Sequence, residues 1–230
     1  QKGGYPHFML KEIFEQPKAI ADTLIGRLHE GKISLDELNL TSTEIRNLKK
    51  IVVLACGTAY HAGMVAKYAI EKWSHIPVEV ELASEFRYRD PIIDKETLVI
   101  AISQSGETMD TLMALRHAKE SGAKVLAICN TNSSTIPRES DAVIYTHAGP
   151  EIAVASTKAF LTQVVATYLI GLYLGQVVGT LNERQIEALY TEMLELPAKI
   201  EQILETVEPL RELTRSFASS SSVLFLGRHV

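Results

Sequence analysis

Residues 98–112 read LVIAISQSGETMDTL. Five consecutive apolar residues, with no polar residue between them, predict a strand buried on both faces. The polar SQSGET turn and the helical pattern over about 107–121 predict that this strand opens a βα unit. Three more short apolar runs repeat the theme, at Ile51–Ala55 (IVVLA), Val125–Cys129 (VLAIC) and Ala142–Tyr145 (AVIY), and Val78–Leu82 (VEVEL) is a further strand candidate. A second helical pattern covers about 58–74, and Gly122 stands where a helix C-terminal cap is expected. Apolar strands alternating with helices indicate a parallel sheet covered on both sides, so the expectation is a doubly wound, three-layer α/β domain of five strands.

Outward from this core the texture is helical. Residues 7–28 place Met9, Ile13, Ile20, Leu24 and Leu28 at helical spacing, with Pro17 starting a second helix or kinking the first, and are read as an N-terminal arm. Residues 29–48 read as a connecting region. From Ala155 to about Phe217 the pattern is helical again, with Pro197 and Pro209 as breaks. Within it, Ala159–Asn182 runs 24 residues without a charge. That is long enough for a bilayer, yet Thr162, Gln163, Thr167 and Gln176 interrupt it and neither flank is basic, so a helix buried on most sides of a globular protein is expected. After Ser219–Ser222, the stretch VLFLG (223–227) repeats the form of VLACG (53–57), a strand ending in glycine. A parallel strand needs neighbours and a covering layer. With the missing initial Met, it predicts that the chain is a piece of a longer protein that ends just inside a second domain. The expected divisions are an arm and connector (1–44), a first module (45–180), linking helices (181–221) and the first strand of a second module (222–230).

Composition narrows the function. The 230 residues are 46% hydrophobic and 22% charged, with a net charge of −5, which excludes disorder as the main state and supplies no positive surplus for a nucleic-acid backbone or a polybasic membrane anchor. A small partner is expected, with no nucleic acid and no membrane. Cys56 and Cys129 read as reduced, buried thiols of an intracellular protein, and QKGGYPHFML is no signal peptide. The seven histidines show no paired metal spacing, and neither a dinucleotide glycine pattern nor a phosphate-binding Gly-Lys-Ser/Thr loop is present, so neither metal nor cofactor is expected.

Three motifs could carry chemistry. Ser103-Gln104-Ser105-Gly106-Glu107-Thr108 lies between a strand and a helix, where helix N–H groups and three hydroxyls suit a phosphate monoester. Ser105 with Thr108 would equally serve as an ordinary helix cap. Cys56-Gly57-Thr58-Ala59 ends the first strand, and Thr58 would join the same ligand if the two strand tips are adjacent; Cys56 is either an inert core thiol or a nucleophile. Glu151–Phe160 (EIAVASTKAF) opens the uncharged helix, either as a Ser/Thr cap with a solvated Lys158 or with Ser156 facing the strand tips.

Taken together, KEIFEQP (11–17), LACGTAYHAG (54–63), ASEFRYR (83–89), ISQSGETMDTL (102–112), AICN (127–130), RESD (138–141) and EIAVASTKAF (151–160) closely resemble the glucosamine-6-phosphate synthase family, the glutamine:fructose-6-phosphate amidotransferases. The resemblance is to the first sugar-isomerase (SIS) module of the isomerase half, and it covers nearly the whole chain. It implies a flavodoxin-like parallel sheet and a site for the phosphate of fructose 6-phosphate at Ser103, Gln104, Ser105 and Thr108, with Thr58 beside them. Val154, through its backbone, and Ser156 would line the sugar. The family commonly reads CGTS where Ala59 stands here, so one hydroxyl donor is missing. A Glu, a His and a Lys that act on the sugar in the family all follow the strand reached at Leu226, and no catalytic residue is assigned in this chain. The resemblance implies a fragment that binds fructose 6-phosphate or glucosamine 6-phosphate without turnover, in a cytoplasmic homodimer. A non-catalytic SIS sugar-phosphate sensor, or another amino-sugar phosphate isomerase or deglycase, are the alternative readings.

Overall fold

The computed structural model describes residues 1–227. The arm is two helices, α1 (Phe8–Phe14) and α2 (Gln16–Leu24), and Pro17 sits in the first turn of α2, where its missing N–H costs nothing. The connector is more ordered than a linker. It forms a small hairpin of β1 (Leu28–His29) and β2 (Lys32–Ile33), a 3₁₀ turn at Asp36–Leu38, and α3 (Ser42–Arg46), whose start is fixed by a reciprocal Thr41/Glu44 capping box. Leu35, Leu38 and Ile45 from this stretch are fully buried in the main core.

The five expected strands form one parallel sheet: β3 (Lys50–Ala55), β4 (Val78–Leu82), β5 (Thr97–Ser103), β6 (Lys124–Cys129) and β7 (Ala142–Tyr145), in the order β4-β3-β5-β6-β7. That is the flavodoxin-like arrangement. Side chains alternate between two apolar layers because the strand period is two. Ile51, Val53, Leu98, Ile100 and Ile102 face one side, with α4 (Thr58–Ser74), α8 (Lys158–Val178) and the arm. Val52, Leu54, Val99 and Ala101 face the other, with α5 (Ala83–Phe86), α6 (Met109–Glu120) and α7 (Thr135–Glu139).

Helix α8 is the uncharged stretch. It is long and apolar enough to cross a membrane, but thirteen of its 21 residues are buried in this fold. It packs on α4 at close range: a Cβ on Gly175 would lie 2.6 Å from the Trp73 carbonyl oxygen, so only glycine lets the helices meet there. Because α4 and α2 cover α8 within the chain, its apolarity does not require a second copy.

Three further helices follow, α9 (Glu183–Leu194), α10 (Leu196–Glu205) and α11 (Glu208–Arg215), with Pro197 and Pro209 in the first turns of the last two. Only α9 sinks residues into the core, namely Ile186, Tyr190 and Met193. The strand expected at Val223–Leu226 is not formed, and those four side chains are exposed. The physical reason is the one that makes such a strand conspicuous in the sequence: among the described residues no neighbouring strand lies beside it to take its backbone hydrogen bonds. The remainder of that expected strand, 228–230, lies outside the described residues.

Candidate functional site

From β3 the chain passes to β4 on one side of the sheet, while β5 continues on the other. The crevice beyond the carboxyl ends of β3 and β5 is therefore the topological switch point, where open α/β sheets bind ligands. A cavity of about 200 Å³ opens there, and all seven expected site residues line it: Thr58, Ser103, Gln104, Ser105, Thr108, Val154 and Ser156. Ala59, Cys56, Glu151 and Gln163 complete most of the wall, and no Lys, Arg or His is among the lining residues.

One wall is the SQSGET loop, which is closed upon its own hydroxyls. The buried Ser103 Oγ accepts from the Gly106 amide at 3.1 Å and shares a hydrogen bond with Thr108 Oγ1 at 3.0 Å, while Ser105 Oγ accepts from the Glu107 amide at 3.2 Å. Gly106 has φ +68°, and a Cβ there would overlap Ser134 Oγ and come within 2.9 Å of Ser134 Cβ. Glycine is obligatory on both counts. Behind the loop, Gln104 O accepts from Asn130 N at 3.1 Å, Gly106 O from Ile136 N at 2.9 Å, and Glu107 Oε1 from Thr135 N at 2.8 Å. The hydrogen bonds from Thr135, side chain first and then backbone, hold the Glu107 carboxyl below its ordinary value.

The helix-cap alternative for this loop does not form. Thr108, not Ser105, is the N-cap of α6, and its side chain makes no capping bond, as Gly57 makes none at α4. Two helix N-termini thus reach the cavity with no side chain capping them, an arrangement suited to an anion.

The other wall is residues 151–157. Glu151 fills the N-terminus of α8: Oε1 accepts from Thr157 N at 2.9 Å and Ala159 N at 3.2 Å, and Oε2 accepts from Ser156 Oγ at 3.0 Å. Val154 is exposed at the cavity rim. Lys158 is not solvated as one reading of the sequence had it. It is 3% exposed and bonds Glu15 of the arm at 2.8 Å, which relieves the cost of a cation at a helix N-terminus. Burial alone would raise the Glu15 carboxyl, but its hydrogen bonds with Lys158 and then Lys11 outweigh that and lower it.

Cys129 is buried, and burial pushes its thiol up to about 12. Cys56 departs from expectation: it is half-buried and lines the cavity. Sequence reasoning did not assign Glu151 or Gln163. A carboxylate shortly before the helix, ahead of a Ser-Thr pair whose Thr157 makes no side-chain capping bond, marks the first. The second was visible only as a polar interruption of an apolar helix; it is 3% exposed, and its Oε1 has no hydrogen-bond partner among the described residues.

Residues 44–173 match the family model of the SIS domain. The chain belongs to the SIS family. Two curated relatives are named as isomerising glutamine–fructose-6-phosphate aminotransferases, from Streptomyces coelicolor (65% identical) and Mycolicibacterium paratuberculosis (61% identical). Both align with the whole of this SIS chain, which spans 38% and 37% of their lengths. A solved structure, the C-terminal domain of glucosamine-fructose-6-phosphate aminotransferase from Francisella tularensis, superposes with a TM-score of 0.93 at 42% identity, covering 99% of this chain and 64% of that one. The resemblance read from the motifs is therefore to the same relatives that whole-chain similarity finds.

Proposed function

We propose that this SIS chain is the sugar-phosphate-binding module of an isomerising glutamine:fructose-6-phosphate amidotransferase, an enzyme that forms glucosamine 6-phosphate from fructose 6-phosphate and glutamine. The observation that carries the reading is the cavity at the switch point, where the hydroxyls of Ser103, Ser105, Thr108 and Thr58 meet two uncapped helix N-termini. Such a set neutralises a phosphate with neutral donors and helix ends, needing no lysine or arginine. Ser156 suits the sugar. Its proton is committed to Glu151, so its oxygen is left to accept from a sugar hydroxyl.

By itself the chain binds without turnover. Among the residues lining the cavity the ionisable groups are Glu151 and Cys56, and both oxygens of Glu151 already accept hydrogen bonds, so no carboxylate stands ready to move a proton between sugar carbons. Titration with fructose 6-phosphate by calorimetry should show binding at one site per chain, with no glucose 6-phosphate formed on prolonged incubation. Heat at the level of a sugar without phosphate, or ready isomerisation, would defeat the proposal. Cytoplasmic location and pairing of two copies belong to the same reading; Met64 and Tyr68, one turn apart on α4, are exposed apolar residues suited to a contact that sedimentation would detect.

A further inference from the structure

The buried carboxylate of Glu12 is not part of the cavity wall, yet it holds the backbone of Ala153, which is. Glu12 is 1% exposed although it lies in α1, a seven-residue helix at the edge of the fold. Its Oε1 accepts from Ile152 N at 2.6 Å and Ala153 N at 3.2 Å, and its Oε2 accepts from Ala153 N at 3.1 Å. The next residue is Val154, and two beyond that is Ser156. Three positions along the arm, Glu15 holds Lys158 at the other end of the same loop. The loop is thus clamped at both ends by one short segment, Glu12–Glu15, some 140 residues away in sequence.

We infer that Glu12 is a positioning residue for the sugar half of the site, fixing the 151–157 loop so that Val154 and Ser156 meet the ligand already ordered. A buried carboxylate is costly to retain unless hydrogen bonds satisfy it, and backbone N–H groups in an irregular loop need an acceptor. Each solves the other's problem, and the geometry would hold the loop even with the cavity empty. A loop ordered in advance spares the ligand that ordering cost on binding. The phosphate wall does not share this support, because its loop is braced by its own hydroxyls and by residues 130–136. The clamp rests on the sugar-phosphate reading above, and it assigns to the KEIFEQP segment a role that neither its helical pattern nor its distance from the strand tips suggests.

The test compares two ligands on the full chain. With Glu12→Gln, the affinity for fructose 6-phosphate should fall about tenfold while that for inorganic phosphate stays unchanged, since one charge-assisted bond pair is weakened and the SQSGET loop is untouched. Glu12→Ala should deepen the loss and Glu12→Asp recover part of it. Hydrogen exchange gives a readout free of ligand: the Ile152 and Ala153 amides should be protected in the wild-type chain and exchange faster in Glu12→Gln. If Glu12→Gln binds fructose 6-phosphate as tightly as the wild type, or loses both ligands equally, the positioning role is overturned. Failure of the underlying sugar-phosphate reading looks different, as a wild-type chain that takes neither ligand, and the exchange measurement then still decides whether Glu12 holds the loop.

Discussion

The two walls of the cavity are built on opposite principles. The SQSGET wall, proposed for the phosphate, is mostly local: Ser103, Ser105, Gly106, Glu107 and Thr108 hydrogen-bond among themselves, residues 130–136 brace them from behind, and the N-terminus of α6 beyond them carries no side-chain cap. The 151–157 wall, proposed for the sugar, is assembled from a distance, with Glu12 and Glu15 of the arm gripping a loop whose helix, α8, already has Glu151 across its N-terminus. An open helix end can receive an external anion, and a filled one cannot. The same structural feature therefore has opposite uses at α6 and α8, and the presence or absence of one internal carboxylate decides which.

The largest effect that would break this contrast is at Gly106. Gly106→Val should abolish binding of both inorganic phosphate and fructose 6-phosphate in calorimetry and lower stability by about 1–3 kcal/mol in urea unfolding, because a positive φ and a clash with Ser134 act together. Retained phosphate binding would show that the loop is not the anion site. Next in size, Ser103→Ala should weaken both ligands by about tenfold, whereas Ser156→Ala should weaken fructose 6-phosphate by a few-fold and leave inorganic phosphate alone. Parallel losses in the two variants would erase the distinction between the walls.

The smallest effect separates the walls by pH. Glu15 has its folded-state carboxyl lowered from the usual 4.5, so its contribution to stability is complete above that value and is lost as pH falls through the lower folded value. Glu15→Gln should therefore reduce the Tm by a few degrees at neutral pH, and the deficit should close as pH drops below 4.5. A deficit that persists unchanged in acid would mean that Lys158 does not depend on the carboxylate charge.

Legibility followed the same division. The β3, β5, β6 and β7 strands and the loops after β3 and β5 could be read directly, because a run such as LVIAI reports its own burial and a hydroxyl-rich turn at its end reports its own chemistry. The connector at 29–48 looked like a linker because it carries Gly31 and several polar residues, and the burial of Leu35, Leu38 and Ile45 follows from their packing into the main core. One reading left Lys158 solvated, and Cys56 was expected to be buried. The environment of Lys158 depends on Glu15, far away in sequence, and that of Cys56 on how the strand tips open.

The sequence by itself determined the layer architecture and the hydroxyl-rich turns at the strand ends, because strand periodicity and motif chemistry are local properties; the seven candidate residues came from the family resemblance, and their convergence on one cavity came from the fold. Only the tertiary structure decided which helix ends stay open, which way Ser156 donates its proton, and that Glu12 and Glu15 of the arm hold the 151–157 loop. Those outcomes depend on hydrogen bonds between groups distant in the chain, and no period in the sequence encodes which buried carboxylate meets which backbone N–H.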